Sequence, residues 1–221
     1  MEWNVRGIVI CVLAAASISP ATVQVVLEAD ADSYVWYEDN GEDWPPLHIN
    51  ENFGSEPLMG VLLQCWAKGP TQELQMSYMH FDFSGLGEYD ATDLVEAQLV
   101  LMVAHVALGE DQRAYVVTEP WLEMNITFNN RPERGELLAS FHLDVDETIV
   151  DLDVGPIAPW VDAPETAYGI HILDYDWWEG DNPTGGKIYT RESGYAPELW
   201  LTFTGEAVAE SSWGEIKAAF E

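Results

Sequence analysis

The stretch AQLVLMVAHVAL, residues Ala97–Leu108, decides the fold class of this chain. Apolar and β-branched residues fill it, and Asp93-Leu94 and Gly109-Glu110-Asp111 bound it. A short apolar run between polar and turn-forming residues is typical of a buried or half-buried strand. The stretch therefore predicts a long β-strand, which needs partner strands from the rest of the chain.

Shorter segments on both sides alternate between apolar and polar residues, as a strand with one buried face requires. In MSYMHFDF, residues 76–83, the two faces carry different residues: Met79, Phe81 and Phe83 against Tyr78, His80 and Asp82. The same period recurs in SFHLDV, TIVDLDV, YGIHIL, KIYTR and ELWLTF, with turn-forming clusters such as SGLGEYD, NNRPERG and EGDNPTGG between segments. Many short strands with such punctuation predict an all-β fold, a jelly-roll-type β-sandwich of antiparallel strands.

Two segments are predicted to be helical. Prolines lie near both ends of VGPIAPWVDAP, residues 154–164, so that at most a short helix fits there. In AVAESSWGEIKAAFE, near the end of the chain, Ser212 is a candidate cap, and Trp213, Ile216 and Phe220 fall near one face. This second helix is too short to be stable alone. We therefore expect a short C-terminal helical tail that docks on the sandwich.

The sequence predicts three parts. Residues 1–21 are predicted to be a signal peptide, since Arg6 precedes the apolar run GIVICVLAAA and small residues follow. Residues 22–205 are predicted to form the sandwich domain, and residues 206–221 the tail. The apolar run is too short to span a bilayer, so we expect a secreted protein, extracellular or at the cell surface, with no transmembrane segment after cleavage.

Cleavage would leave Cys65 as the only cysteine of the mature chain. Such a residue is typical of a small apolar side chain in a core. An intermolecular bridge and a reactive thiol are the alternatives.

The charge of the chain limits its partners. The formal net charge is -31, from 39 acidic and 8 basic residues. A surface of this charge repels polyanions, which argues against nucleic acids and acidic membranes as partners. Divalent cations or high salt would relieve the repulsion, so the composition fits both calcium binding and a saline habitat.

Six segments, in order along residues 30–203, resemble the DNRLRE domain, or disaggregatase-related repeat, which includes carbohydrate-binding module family 96. The residues that carry the resemblance are Asp32 and Tyr34-Val35; Asn52-Phe53-Gly54; Phe81-Asp82; Trp121, Glu123, Thr127, Asn129 and Pro132; Asp153, Trp160, Tyr168 and Gly169; and Arg191-Glu192, Pro197 and Leu199. The sequence departs from the family at Phe128, where tryptophan is usual, and in an acidic insertion at residues 38–49. The resemblance implies a jelly-roll sandwich that binds polysaccharide and is not itself an enzyme; characterised members favour alginate.

Sugar binding needs flat apolar faces for the pyranose ring and a few planar polar groups for its hydroxyls. Trp121 and Trp160 match the family pattern and are predicted to be core residues. The tryptophans of acidic loops and two arginines remain as candidate sugar-binding residues: Trp44, Trp177, Trp178, Arg131 and Arg191. On the charge of the whole chain, neutral glycans fit best, as do acidic glycans bridged by calcium.

The segment ITFNNRP, residues 126–132, is predicted to end a strand. Asn129 and Asn130 are expected to make the turn through hydrogen bonds from side chain to backbone. Arg131 can hold this loop through backbone carbonyls or Glu133, or present its planar guanidinium to a ligand. Arg191 has the same two interpretations, with Glu192 as its structural partner.

Calcium is the one cofactor that the sequence suggests, because it binds carboxylate and carbonyl oxygens. Asp30 and Asp32 are two residues apart and should share a strand face, and Asp151 and Asp153 repeat that spacing. These four residues are the candidate ligands. A solvated acidic face is the alternative, and the spacing of an EF-hand loop is absent from the sequence.

The sequence contains neither a G-x-S-x-G elbow nor a P-loop, and its five histidines lack the spacing of a zinc site. We therefore predict a non-catalytic, secreted carbohydrate-binding module. The alternative is a structural or adhesive subunit of a surface layer, matrix or filament, in which the chain would associate with itself. A polysaccharide lyase or hydrolase is a third hypothesis.

Overall fold

The computed structural model of the chain describes residues 21–39, 46–65, 72–107, 111–174 and 184–204. These residues form ten strands and one α-helix: β1 (Thr22–Asp39), β2 (Leu58–Cys65), β3 (Gln72–Phe81), β4 (Leu94–Val106), β5 (Gln112–Val117), β6 (Arg134–Phe141), β7 (Asp146–Leu152), α1 (Val154–Asp162), β8 (Ile170–Asp174), β9 (Thr184–Tyr189) and β10 (Glu198–Thr204). Five single 3₁₀ turns occur between them, at Ser84–Leu86, Ala91–Asp93, Phe128–Asn130, Pro164–Thr166 and Arg191–Ser193.

Six strands close into a barrel-like ring in the order β1, β10, β4, β9, β2, β3 and back to β1. The ring closes because β1 serves two neighbours: its first part pairs with β10, and from Ala29 onward it pairs with β3. A register shift at Ala29/Ala31 marks the change. Strands β8, β5 and β6 continue outward from β3, and β7 pairs with β4. The prediction of an all-β, antiparallel fold is confirmed, and the long strand predicted from Ala97–Leu108 is β4.

The main core fills the ring and the space under α1. Its largest fully buried side chains include Met59, Met79, Phe81, Phe83, Leu99, Leu101, Ile157 and Phe203. The predicted short helix is confirmed as α1, and Trp160 from this helix packs edge-to-face on Phe83, with 5.4 Å between the ring centroids. Trp160 is therefore a core residue, as predicted.

A second apolar cluster covers the other face of β3, β8 and β5. It contains Val35, Leu74, Met76, Tyr78, Tyr115, Val117, Ile126 and Leu173. The alternation predicts a strand with one buried face, but residues on both faces of β3 are buried, and Tyr78 is only 1% exposed. The difference arises because the 118–132 connection packs over β3, where the ring of Trp121 meets that of Tyr78 with 6.0 Å between centroids. Trp121 belongs to this connection rather than to the main core; it is partly buried against the second cluster, and its Nε1 donates to the Tyr168 carbonyl at 2.8 Å.

Some predicted strand boundaries are wrong. Residues 126–132 do not end a strand: the connection is irregular up to Thr127 and then forms the 3₁₀ turn Phe128–Asn130. In SFHLDV the strand stops at Phe141, since β6 lies mostly before it. None of the described helices is long and apolar enough to cross a bilayer. The predicted tail and all of the predicted signal peptide except Ala21 lie outside the described residues.

Candidate functional site

An open groove with a volume of about 700 Å³ lies on the outer face of β3 and β8. Strand residues form its floor, and the connection before β6 forms its wall. The residues that line the groove are Leu74, Met76, Tyr78, His171, Leu173 and Asp174 from the strands, and Phe128, Arg131, Pro132, Glu133 and Arg134 from the wall. The second apolar cluster therefore underlies a concave surface that faces solvent.

Two stacked, uncharged rings form part of the floor. Tyr78 and His171 are directly opposite each other in the β3–β8 pairing, and their rings stack with 4.5 Å between centroids. His171 is 3% exposed, and its Nδ1 donates to the Ser77 carbonyl at 3.3 Å. Burial lowers the pKa of His171 from 6.5 to about 3, so the imidazole is neutral at any ordinary pH. Burial also raises the pKa of Tyr78, which keeps its hydroxyl protonated.

The wall depends on the asparagines of the predicted turn. The Asn130 side chain accepts a hydrogen bond from the Thr127 amide at 2.6 Å and donates to the Asn125 carbonyl at 2.9 Å. Asn129 contributes less to the turn itself, since its Nδ2 donates to Asn50 Oδ1 at 2.7 Å. Side-chain bonds to the backbone therefore fix the turn at Asn130, as predicted.

Two arginines stand over aromatic rings in this wall. The guanidinium of Arg131 lies 3.8 Å from the centroid of the Phe128 ring, and its Nη1 donates to the Phe128 carbonyl. The guanidinium of Arg134 lies 5.2 Å from the centroid of the Tyr115 ring. Arg131 thus holds the loop through a backbone carbonyl and also borders the groove. Stacking on a ring restrains a guanidinium while leaving several N–H donors free to bind a ligand.

A second cluster of charged groups lies where β1 meets the 3₁₀ turn Arg191–Ser193. The Arg191 guanidinium donates from Nη2 to both carboxylate oxygens of Glu123, at 2.9 and 2.8 Å, and to Glu192 Oε1 at 3.3 Å. Its Nη1 donates to the Asp30 carbonyl at 2.7 Å. The structural interpretation of Arg191 fits these contacts, with Glu123 as a closer partner than Glu192.

Asp32 is the buried member of this cluster, at 1% exposure. Its Oδ2 accepts a hydrogen bond from the Arg191 backbone amide at 2.8 Å, and its own amide donates to Glu123 Oε1 at 3.1 Å. Burial raises the pKa of Asp32 from 3.8 to about 7; the Arg191 amide opposes the rise, and the charges of Glu192 and Glu123 add to it.

Asn52 ties a third segment to this cluster. Its Nδ2 donates to the carbonyls of Glu123 and Ile126, at 2.6 and 2.8 Å, and its Oδ1 accepts from the Gly54 amide at 3.2 Å. A side chain on Gly54 would meet the Glu123 carbonyl oxygen at 2.5 Å, so only glycine fits there. Several motif residues therefore meet in one place, which we call the motif junction: Asp32, Asn52-Gly54, Glu123 and Arg191.

The remaining predicted calcium ligands have separate environments. Asp30 is exposed at the register shift of β1 and contacts His80 Nδ1 at 2.5 Å, so it does not share the environment of Asp32. Asp151 accepts from Gln98 Nε2 at 2.7 Å on the exposed face of β7. Asp153 lies beyond the end of β7 and caps α1 by accepting from the Gly155 amide at 3.0 Å. The expectation that these pairs each share a strand face is wrong, because a bulge interrupts the first and a helix begins at the second.

A model of carbohydrate-binding module family 96 matches residues 23–203 of the chain. This chain belongs to that family. The match covers β1 to β10, and so includes both the groove and the motif junction. No curated protein matches this chain significantly in sequence.

Of the candidate sugar-binding residues, the structure places Arg131 in the groove and Arg191 in the motif junction. Trp44, Trp177 and Trp178 lie outside the described residues. Sequence reasoning did not single out Tyr78, His171 or Arg134, whose arrangement depends on the pairing of β3, β8, β5 and β6. Their only sequence signal is that two of the few arginines flank Pro132-Glu133.

Proposed function

We propose that this family 96 module binds polysaccharide along the groove formed by β3, β8 and the wall before β6. The observation that supports this is the pairing of a concave, largely apolar floor with two ring-stacked guanidiniums, Arg131 and Arg134. A pyranose face packs on apolar surface, and planar N–H donors bind hydroxyl or carboxylate oxygens.

The groove favours a polymer that carries carboxylates. The whole chain is strongly acidic, but two of its eight basic residues border this one surface. At physiological salt, charges farther than about 8 Å from a ligand are largely screened, so the local arginines outweigh distant carboxylates. Glu133 and Asp174 also line the groove, and they limit the number of carboxylates that can bind.

The test is titration of the full chain with alginate and with a neutral glucan, by calorimetry or affinity electrophoresis. Arg131→Gln and Arg134→Gln should each weaken binding to alginate by about tenfold or more, because a hydrogen bond to a charged group contributes about 1.5–3 kcal/mol. Lys187→Gln is the matched control: it removes one positive charge from an exposed position on β9, outside the groove. Thermal melts of all three variants check that the wall is intact.

Binding to neither polymer would overturn the proposal, and so would equal losses in the arginine variants and Lys187→Gln. Preference for the neutral glucan would still be consistent with binding in the groove, but the arginines would then bind sugar hydroxyls rather than carboxylates.

The further features of the proposal follow from the sequence. We propose a secreted protein whose leader is residues 1–21, whose residues 22–205 form one jelly-roll-type domain and whose last residues form a helical tail. The module would act without catalysis, as an adhesive or retaining element on an extracellular matrix or cell-wall polymer. Incubation with the same polymers should release no reducing ends and no unsaturated products.

A structural subunit is the second candidate, and the free edges of the sheet favour it. Within the described residues, β6 pairs only with β5 and β7 only with β4. Apolar residues in or next to these two strands are exposed to solvent: Leu137 in β6 (44% exposed), Val145 just before β7 (62%) and Ile149 in β7 (48%). Unpaired edges with apolar side chains can add strands from another copy. Size-exclusion profiles that shift with concentration, and that Ile149→Lys returns to the monomer, would support this candidate.

A further inference from the structure

We infer that Asp32, Glu123 and Glu192 form a calcium site at the motif junction. One carboxylate oxygen from each residue lies within 4.8 Å of the other two. Calcium–oxygen bonds are about 2.3–2.6 Å long, so oxygens on opposite sides of one ion are roughly 5 Å apart. The three side chains come from β1, the 118–132 connection and the turn before β10, and fold together only in the tertiary structure.

The buried state of Asp32 gives a second reason, independent of the clustering. Its Oδ1 is fully buried and has no hydrogen-bond partner among the described residues. A buried, unpartnered carboxylate oxygen costs free energy unless a proton or a cation satisfies it. Its other oxygen already accepts from the Arg191 amide. Oδ1 is thus left as the atom available to a ligand.

The charge balance at the junction favours a divalent ion. Three carboxylates surround one guanidinium, that of Arg191, so that ionised side chains leave two negative charges uncompensated. Arg191 holds Glu123 in place through two hydrogen bonds. Glu192 is exposed, so an ion can enter from solvent. Carboxylate ligands with room for water suit calcium better than magnesium, which requires near-octahedral geometry.

The site differs from the ligand set expected from sequence spacing. Only Asp32 is common to both, since Asp30, Asp151 and Asp153 have other partners. The inference is also independent of glycan binding, because the groove residues take no part in it.

Calorimetric titration of the chelator-treated full chain with CaCl₂ tests the inference. Salt at about 0.15 M suppresses diffuse attraction of calcium to a protein of this charge. The wild-type chain should bind one ion saturably at this site. Asp32→Asn and Glu192→Gln should weaken that binding by at least about tenfold, as each removes one of three charged ligands. Asp151→Asn, which removes the same charge from an exposed carboxylate, should bind as the wild type does.

Melting temperatures give the second readout, because a ligand that binds only the folded state stabilises it. Calcium should raise the melting temperature of the wild type and of Asp151→Asn, and magnesium at equal concentration should raise it less. If Asp32→Asn does not fold, Glu192→Gln carries the test, because Glu192 is the most exposed of the three residues. The inference is overturned by the absence of saturable binding, by wild-type binding in the Glu192→Gln variant, or by equal effects of the two metals.

Discussion

At the scale of single residues, hydrogen bonds from side chains to backbone hold the motif junction together. Asn52 makes three such bonds and joins the turn before β2 to the 118–132 connection. A partly buried amide that satisfies two carbonyls leaves both without partners when it is removed, and each lost bond costs about 1 kcal/mol or more.

We predict that Asn52→Ala lowers the free energy of unfolding by about 2–3 kcal/mol. Asn50→Ala is the matched control, because Asn50 is exposed and its Oδ1 accepts from the Asn129 side chain rather than from backbone. That change should cost less than about 0.5 kcal/mol. Urea denaturation measures both, and equal losses would show that the Asn52 bonds do not hold the junction.

His171 makes the stability of the fold depend on pH. Its pKa is about 3 in the folded chain and 6.5 without burial. Below pH 6.5 the unfolded chain binds a proton at His171 that the folded chain does not, so the contribution of His171 to the free energy of unfolding falls with pH, by at most about 1.4 kcal/mol per unit, until about pH 3.

The change that tests this is His171→Phe, which cannot titrate and keeps a ring against Tyr78. The difference in stability between wild type and His171→Phe should shift in favour of the variant as the pH falls from 7 to 4.5. His142→Gln removes a histidine from an exposed position, and its difference in stability from the wild type should stay nearly constant over the same pH range. A constant difference between wild type and His171→Phe would contradict the assigned pKa.

At the scale of elements, the close approach of β8 to β3 depends on a glycine. Gly169 has φ of +110°, and a Cβ there would lie 2.1 Å from the Met79 carbonyl oxygen. The residue precedes β8, so it sets where that strand enters the sheet and therefore where His171 meets Tyr78.

We expect Gly169→Ala to destabilise the fold by more than about 3 kcal/mol, since backbone would have to move in addition to the left-handed strain of about 1–2 kcal/mol. Gly194→Ala separates the two causes. Gly194 also has positive φ, +82°, but a Cβ there would meet no atom within 4 Å. Chemical denaturation should show only the smaller loss for Gly194→Ala, and similar losses would mean that the backbone contact at Gly169 is relaxed.

At the scale of the whole molecule, a net charge of -31 opposes the compact state. Salt screens the repulsion, since the Debye length falls from about 30 Å at 0.01 M to about 3 Å at 1 M. The melting temperature should therefore rise by several degrees across that range. NaCl and KCl should act equally, because screening depends on ionic strength. A flat response, or a rise with one salt alone, would contradict general screening.

The sequence by itself determined the strand class, the helix α1, the core position of Trp160 and the turn at Asn130. Each of these depends on local patterns: a period of two, bounding prolines, or a side chain that bonds within five residues. The acidity of the chain was equally fixed by composition. Such features depend on neighbours along the chain, and so they can be predicted without knowing the topology.

Only the tertiary structure decided which charged and aromatic residues meet. Tyr78 and His171 are brought together by strand pairing, and Asp32, Glu123 and Glu192 by the packing of β1, the 118–132 connection and the turn before β10. The bulge in β1 separates Asp30 from Asp32, although their spacing predicts a shared face. Contacts between residues many positions apart depend on register and topology, which local periodicity does not encode.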